Sequence, residues 1–345
     1  MIAPWALSPQ CLHDRTERLA RAQTWQHATR DLVCPSGLAA RSLRYPEAVR
    51  IAVAGASGLI GSALVSQLRT SGHQVVRLVR NQQSLSEDSR YWNPATGDID
   101  NDAFDGIDGV VNLAGAGIGD RRWSEHRKRE LRISRVDATE LLVEAMGAAS
   151  SPPAVLVAGS AVGYYGDRGD EVLDEQSGPG TGFLASLTAD WETAAIEAQS
   201  VGIRVALART GLVVANNAPF LTRMLPLFKL GLGGPLGNGG QWWPWISLED
   251  EVRALVFLLE SEFAGPANLC APNPVTNREF TRALASILRR PAAMAVPRFG
   301  PRLLLGRELA DELLFSSARA NPAALADAGF EFRHPDLSPT LKGIL

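Results

Sequence analysis

The sequence has few cysteines, no long apolar stretch and no strong excess of charge of either sign. Its three cysteines, Cys11, Cys34 and Cys270, are odd in number and widely spaced, which indicates neither a disulfide framework nor a metal site. We therefore expect no metal and a reducing, cytoplasmic setting. No apolar run reaches membrane-spanning length, and a net charge of −3 argues against nucleic acid as the main partner.

A glycine-rich turn stands between the first clear strand pattern and the first clear helix pattern. The apolar run 51–54 leads to Gly55, Gly58 and Gly61, and apolar residues then recur at helical spacing before a second strand. In such a βαβ unit Gly55 makes the turn, Gly58 lets backbone amides approach a pyrophosphate, and Gly61 lets the helix pack closely. The phosphates would lie at the helix N-terminus. The alternative is a glycine-rich turn of another kind of α/β protein.

Arg80 follows the second strand, Gln74–Val79, and the next acidic side chain is Glu87. An NAD site places a carboxylate here for the ribose hydroxyls, whereas an NADP site places a cation for the 2′-phosphate. A guanidinium offers that phosphate a charge and a forked donor, so we predict NADP(H), with NADPH preferred over NADH. Alternatively, Arg80 is a solvated arginine in a chain that favours arginine over lysine.

Two later strand patterns also end in small or polar residues. Gly109–Asn112 is followed by Leu113 and Ala114, where small residues let adenosine and ribose lie against the backbone. The strand 154–159 is followed by Ser160, which can donate a hydrogen bond to the oxygen that hydride transfer makes or consumes. Alternatively, Ser160 is a turn serine that caps the next segment.

A second glycine-rich stretch, residues 231–240, leads into Trp242, Trp243 and Trp245. Clustered indoles beside a flexible loop are typical of a pocket wall for a sugar or base, and equally of a core at a lobe interface. Both interpretations stay open.

We predict an α/β fold with a Rossmann-type doubly wound parallel sheet and a smaller C-terminal α+β substrate lobe. Residues 50–215 would form the NADP-binding domain, with 246–262 packing back on it, and residues 216–345 the substrate lobe. Residues 1–49, with a possible helix over 14–29, do not fit the nucleotide-binding unit and are predicted to be an N-terminal extension of unknown role.

Seven segments, taken in order, resemble the epimerase family proteins of the YfcH or SDR39U1 type, an atypical branch of the extended short-chain dehydrogenase/reductases. They are residues 53–61, 112–115, 122–123, 134–136, 162–166, 230–235 and 329–332. The resemblance covers about residues 50 to 342 and implies an NAD(P)-dependent epimerase/dehydratase fold with a small DUF1731-like domain from about residue 292. It implies NADP binding through Gly55, Ser57, Gly58, Leu59, Ile60, Gly61, Arg80, Leu113, Ala114, Glu130 and Arg135.

The chain departs from the short-chain dehydrogenases in its acid/base residues. Those enzymes usually carry Tyr-x-x-x-Lys on the helix after the serine strand, where the lysine lowers the tyrosine pKa from about 10. The lysines and tyrosines of this chain never stand in that spacing: they are Lys128, Lys229, Lys342, Tyr45, Tyr91, Tyr164 and Tyr165. Either another group moves the proton, or the protein binds NADP(H) without that chemistry.

Three functions follow. The first is an NADP-dependent oxidoreductase or epimerase for a small carbonyl or sugar-like substrate, in which Ser160 holds the reacting oxygen and Tyr164 or Tyr165 supplies the proton. The second is a non-catalytic NADP(H)-sensing module that reports to a protein partner. The third is a regulator of cell division, which rests on a label that some relatives carry.

A helix pair beside the fold, as in many relatives, would make a homodimer.

Overall fold

The computed structural model of the protein describes residues 48–292 and 294–345. The predicted N-terminal extension therefore lies outside the described residues apart from residues 48 and 49, and so do Cys11, Cys34 and the candidate helix over 14–29.

The described strands are β1 (Arg50–Ala54), β2 (Gln74–Val79), β3 (Ser89–Asn93), β4 (Asp98–Ile99), β5 (Gly109–Asn112), β6 (Val155–Ala161), β7 (Val172–Leu173), β8 (Arg204–Thr210), β9 (Leu212–Val214), β10 (Trp242–Trp243), β11 (Trp245–Ser247), β12 (Gly265–Leu269), β13 (Val275–Thr276) and β14 (Arg319–Ala320). One large sheet has the order β12-β8-β6-β5-β1-β2-β3-β4. Its neighbours are parallel except β4, which pairs antiparallel with β3 at the edge.

The described helices are α1 (Leu59–Thr70), α2 (Glu125–Arg132), α3 (Ala138–Ala148), α4 (Phe183–Ile196), α5 (Pro219–Lys229), α6 (Leu248–Glu260), α7 (Asn277–Leu288), α8 (Phe299–Leu305), α9 (Arg307–Leu314), α10 (Ala323–Asp327) and α11 (Leu337–Ile344). A π-helical turn, Ile133–Asp137, joins α2 to α3.

Helices cover both faces of the large sheet. Ile51 and Val53 pack with α1 and α6 on one face, whereas Ala52 and Ala54 pack with α3 and the end of α4 on the other. Because both faces are buried, β1 and β5 are near-continuous apolar runs rather than alternating ones. This arrangement confirms the predicted Rossmann-type doubly wound sheet.

The order in which strands are added to the sheet reverses between β1 and β5. Strands β2 and β3 lie on one side of β1, whereas β5, β6, β8 and β12 lie on its other side. In such sheets a ligand usually binds in the crevice outside the carboxyl ends of the two strands at this reversal, which here are β1 and β5.

A second hydrophobic core lies outside the large sheet, in the C-terminal part of the chain. It joins α5, α7 and α11 around Trp243, Trp245 and Phe280, and the rings of Trp243 and Phe280 meet edge to face with centroids 5.6 Å apart. Trp243 and Trp245 are buried, so for these two indoles the core interpretation applies. Trp242 is partly exposed, and its Nε1 donates to Asp170 Oδ1 at 2.9 Å.

Candidate functional site

The turn between β1 and α1 uses two of its glycines for backbone packing. Gly55 has φ of +77°, and a Cβ on it would lie 2.6 Å from the carbonyl oxygen of Leu113. A Cβ on Gly61 would overlap the carbonyl oxygen of Gly55. Both positions therefore require glycine because any side chain would separate strand, loop and helix.

Gly58 differs because the surrounding protein does not demand a glycine there. Its φ of −74° suits any residue, and a Cβ would approach only the Gly55 carbonyl oxygen, at 3.4 Å. Ser57 and Gly58 are exposed, and Leu59 and Ile60, which begin α1, are partly exposed. The first turn of α1 has neither a side-chain cap nor an acidic residue, so its N–H groups face this open space. A side chain at Gly58 would fill the cradle that a pyrophosphate needs, so these residues fit a dinucleotide.

The loop after β5 is fixed against the glycine turn. Asn112 Oδ1 accepts from the backbone N–H of Ala114 at 3.1 Å, and its Nδ2 donates to Thr139 Oγ1 at 2.9 Å. Trp191 Nε1 also donates to Thr139 Oγ1, at 3.0 Å. Asn112 and Thr139 are fully buried, so helices α3 and α4 hold Leu113 and Ala114 in place at the crevice.

Arg135 brings a positive charge to the same loop. It lies in the π-helical turn, an irregularity that is frequent at functional sites. Its Nη2 donates to the carbonyl oxygen of Ala116 at 3.0 Å, and a Cβ on Gly115 would lie 2.9 Å from its Cζ. Burial, and then the charge of Arg127, lower the pKa of Arg135 to about 10. No carboxylate among the described residues pairs with this guanidinium, so an anionic ligand would compensate its charge.

Glu130 already has cationic partners. Its Oε2 accepts from Arg127 Nη1 at 2.8 Å and from Arg121 Nη2 at 2.9 Å, and His126 Nε2 lies 3.1 Å from Oε1. The hydrogen bond from Arg127 holds the pKa of this carboxyl below its usual range. Arg127 Nη2 also donates to the carbonyl oxygen of Gly117 at 2.5 Å. The observed role of Glu130 is thus to orient Arg127 toward the loop after β5, and its contact with a cofactor stays a prediction.

Arg80 directly follows β2. Its side chain is exposed, and within residues 48–292 and 294–345 it forms no ion pair. Arg77 on the same strand, by contrast, donates to Asp88 at 2.9 Å and to Ser86 at 3.0 Å. The Arg80 guanidinium is therefore available to a ligand at the crevice.

Ser160, at the end of β6, already donates its hydroxyl proton to another group. Its side chain is only 5% exposed, and its Oγ donates to Glu192 Oε1 at 2.5 Å. Glu192 is paired in turn with Arg209, whose Nε and Nη2 donate to Oε1 and Oε2 at 2.7 and 2.8 Å. Burial alone lowers the pKa of Arg209, but its hydrogen bonds to Glu192 raise that pKa above the ordinary value. As placed, Ser160 offers a ligand lone pairs rather than a proton.

The two neighbouring tyrosines have different surroundings. The Tyr165 hydroxyl accepts from Arg209 Nη1 at 3.0 Å and donates to Asn268 Oδ1 at 2.7 Å, and the residue is fully buried. Burial raises the pKa of Tyr165 well above its usual range. Tyr164 is partly exposed, with Arg209 Cζ 3.6 Å from its ring centroid. Burial raises the pKa of Tyr164 as well, and the charge of Arg209 opposes that shift. Tyr164 is therefore the tyrosine of this pair that a substrate can reach.

Helix α4 faces this turn with Leu184 and Thr188. A Cβ on Gly163 would lie 3.6 Å from Leu184 Cβ and 4.0 Å from Thr188 Oγ1, so this i,i+4 pair occupies the helix face beside the tyrosines. The cation beside Tyr164 is therefore not a residue of this helix face but Arg209 of β8. Sequence reasoning missed Arg209 and Glu192, although a charged residue within the apolar run of β8 was the available signal.

The N-terminus of α4 is held by the C-terminal part of the chain. Glu312 of α9 accepts from the backbone N–H groups of Phe183 and Leu184, at 2.9 and 2.7 Å. Glu308, which also belongs to α9, accepts from Lys128 of α2 at 2.7 Å. Helix α9 thus contacts two helices beside the crevice.

The described residues contain neither a cluster of metal ligands nor a helix that could span a membrane. No three His, Cys, Asp or Glu side chains converge there as metal ligands would. None of the helices in residues 48–292 and 294–345 combines the length and apolarity of a membrane span.

The chain is similar in sequence to known proteins. A sequence model described as the NAD dependent epimerase/dehydratase family matches residues 51–270, and one described as a domain of unknown function, DUF1731, matches residues 296–344. An epimerase family protein of Mycobacterium leprae is 49% identical over 292 residues, which cover 84% of this chain and 94% of that protein. The epimerase family protein SDR39U1 homolog of Arabidopsis thaliana, described as chloroplastic, is 34% identical over 312 residues and covers 86% of each chain.

A solved structure is similar to this chain in both fold and sequence. The human epimerase family protein SDR39U1, crystallised with NADPH, has a TM-score of 0.77 and 32% identity, covering 86% of this chain and 99% of that one. The resemblance seen in the sequence is confirmed, and the chain belongs to the NAD dependent epimerase/dehydratase family.

Proposed function

We propose that this protein binds NADP(H) and acts as an oxidoreductase or epimerase on a small carbonyl or sugar-like compound. The observation that carries the proposal is the open space at Gly58, where the protein needs no glycine but an approaching pyrophosphate does. The human relative that was crystallised with NADPH supports the same cofactor.

The preference for NADP(H) rests on two cations. Arg80 would hold the 2′-phosphate, because its guanidinium is exposed, unpaired within the described residues and directly behind β2. Arg135 would face another anionic part of the dinucleotide from the loop after β5. When bound, the nicotinamide supplies or accepts a hydride.

The proton that accompanies hydride transfer is assigned to Tyr164. In a carbonyl reduction its hydroxyl would give a proton to the substrate oxygen, and Arg209, 3.6 Å from the ring centroid, would stabilise the tyrosinate that forms. Arg209 would thus supply the positive charge that lysine supplies in Tyr-x-x-x-Lys enzymes. Ser160 would orient the substrate by accepting a hydrogen bond from a hydroxyl group.

A non-catalytic NADP(H)-sensing module is the second candidate. It is favoured by the helix face of Leu184 and Thr188, which carries no acid or base, and by the Ser160 proton that Glu192 accepts. In that case Arg209 and Glu192 serve only the stability of the packing between α4 and β8.

Calorimetric titration of NADPH and NADH tests the cofactor assignment. We expect NADPH to bind more tightly, and Arg80→Ala to weaken NADPH binding by about tenfold to a hundredfold while leaving NADH unchanged. Arg290→Ala, which removes an exposed cation in the C-terminal lobe, is the matched control. Equal binding of both nucleotides by the unaltered protein would refute the NADP(H) assignment.

A panel of aldehydes, ketones and sugar derivatives, followed by NADPH absorbance, separates the two candidates. Oxidation of NADPH by any of them supports the enzyme. Tight NADPH binding without turnover, together with one protein partner recovered only when NADPH is present, supports the sensing module.

We also propose a reducing, cytoplasmic setting. Cys270 supports it, because this thiol is buried and forms no disulfide within the described residues. Fractionation of cells that express the protein at its native level tests this assignment, and recovery with an organelle would contradict it.

A further inference from the structure

A cavity of about 250 Å³ lies in the C-terminal lobe, between the glycine-rich loop and helix α7. Arg278, Thr281 and Arg282 of α7 line one wall, and Pro235 and Ala295 are among the residues that line the others. We name it the α7 cavity. It is slightly smaller than the sites of drug-sized ligands, which begin at about 300 Å³, so it suits a small ligand or one polar group of a larger one.

The charge around the α7 cavity is positive. Arg278 and Arg282 are exposed, neither forms an ion pair within the described residues, and no carboxylate lines the cavity. Arg298 lies at the edge, since its Nε would be 3.4 Å from a Cβ on Gly237. Guanidinium groups without carboxylate partners attract an anion.

Two buried side-chain atoms of α7, one of them on a residue that lines the cavity, have no hydrogen-bond partner among the described residues. Thr281 is 1% exposed, and its Oγ1 has no hydrogen bond within the described residues. Asn277, one turn earlier and fully buried, accepts from the backbone N–H of Leu236 through Oδ1 at 2.8 Å, but its Nδ2 has no partner there. Buried donors are nearly always satisfied in proteins, so these two indicate acceptor atoms that a ligand or water would supply.

The backbone of α7 is not what would hold a ligand. The N–H of Arg278 donates to the carbonyl oxygen of Gly239 at 2.9 Å, and that of Asn277 to Gln241 at 2.8 Å. These bonds fix the glycine-rich loop on the helix and leave recognition to side chains.

We propose that the α7 cavity is a binding site for a phosphate-type oxyanion, either the free ion or a small phosphate ester, separate from the dinucleotide site. Arg282 would bind its oxygens through its forked donor, and Arg278 through the N–H groups that do not donate to the Asn238 carbonyl oxygen. The Thr281 hydroxyl would donate a further hydrogen bond. The apolar surface of Pro235 and Ala295 leaves room for the organic part of an ester. The inference goes beyond the proposed function and does not depend on it.

Calorimetry on the full chain tests the site with inorganic phosphate and ribose 5-phosphate, using ribose and sodium chloride at matched ionic strength as controls. Arg282→Gln should weaken binding of both phosphates by about tenfold. Thr281→Val should weaken it by about threefold to tenfold without lowering the melting temperature, because it removes a buried hydroxyl that has no partner. Arg290→Gln, an equal change of charge on an arginine outside the cavity, should leave binding unchanged.

The calorimetric titrations distinguish a free phosphate ion from a phosphate ester as the ligand. Tighter binding of ribose 5-phosphate than of inorganic phosphate, with competition between them, identifies an ester as the ligand, and equal affinity identifies the free ion. Absence of phosphate binding above the chloride control, or an equal loss in Arg290→Gln, would overturn the proposal. NADPH is titrated into the same preparations: unchanged NADPH affinity in Arg282→Gln supports separate sites, and a parallel loss contradicts them.

Discussion

Arg209 and Glu192 form a bidentate ion pair inside the protein, with Nε 2.7 Å from Oε1 and Nη2 2.8 Å from Oε2. The pair connects Ser160 on one side to Tyr165 on the other, and both charged side chains are less than 10% exposed. A buried pair of this kind contributes less than its geometry suggests, because both charges lose their hydration. Removing one partner is informative, because a single buried charge without a counter-charge destabilises the folded state far more than the absence of both charges.

Breaking the pair from one side should destabilise the protein strongly. We expect Arg209→Met to lower the free energy of unfolding by about 3–5 kcal/mol, since the Glu192 carboxylate is left buried without its cationic partner. Urea unfolding measures the change. Arg223→Ala, which breaks the exposed pair with Asp120, should cost at most about 1 kcal/mol. Equal losses in the two variants would contradict the importance of burial.

Alanine at two glycines of the same turn should have opposite effects. Gly58→Ala should leave the free energy of unfolding unchanged within about 0.5 kcal/mol and weaken NADPH binding by about tenfold or more, because the methyl group occupies the phosphate cradle. Gly61→Ala should cost about 1–3 kcal/mol, because its methyl group meets backbone. Unchanged NADPH affinity in Gly58→Ala would show that the phosphates bind elsewhere.

Tyrosine-to-phenylalanine variants should separate the roles of Tyr164 and Tyr165. Tyr164→Phe should reduce turnover of an identified carbonyl substrate by about a hundredfold or more while NADPH affinity and stability are kept. Tyr165→Phe should destabilise the protein by about 1–3 kcal/mol, because it removes the buried hydroxyl that bonds Asn268 Oδ1 and Arg209 Nη1. Turnover that survives Tyr164→Phe would remove the assignment of the proton donor.

The stability of the protein should fall as the pH rises toward 8. Glu251 is fully buried, and burial raises its pKa to about 8, against the opposing hydrogen bond from Thr210. The unfolded chain releases this proton near pH 4.5 and the folded chain near pH 8, so the folded state binds more protons between these values. The slope from this one group reaches at most about 1.4 kcal/mol per pH unit and ends above pH 8.

Glu251→Gln should abolish that slope. The difference in the free energy of unfolding between variant and parent, measured in urea from pH 5 to 9, should grow with pH in favour of the variant. Glu249→Gln on the same helix is the control, because hydrogen bonds from His334 and Arg333 hold the pKa of Glu249 below its usual range and outside the pH range measured. Parallel curves for Glu251→Gln and the parent would mean that this carboxyl does not titrate as described.

The parts of the fold that sequence alone predicts are those with a local cause. Gly55 and Gly61 are required by backbone packing within one βαβ unit, and the apolar runs of β1 and β5 follow from burial on both faces of the sheet. Strand β3, Ser89–Asn93, was not predicted because its alternation is weak and its pairing with β2 decides its conformation.

The hydrogen-bonded network of Ser160, Glu192, Arg209 and Tyr165 could not be predicted, because it has no local cause in the sequence. Glu192 and Arg209 are 17 residues apart in sequence and meet only through the packing of α4 on β8. Ser160 was therefore assigned from its place after a strand, without knowledge of the acceptor for its proton. Trp243 and Trp245 left two interpretations open because the same indoles suit a pocket wall and a core.

The carboxylate of Glu312 makes the two matched regions of the chain interdependent. It supplies the acceptors for the first N–H groups of α4, so the C-terminal segment completes a helix whose residues all belong to the epimerase-like region. A chimera that takes its C-terminal segment from a relative will dock correctly only if that segment brings an acidic side chain to this position.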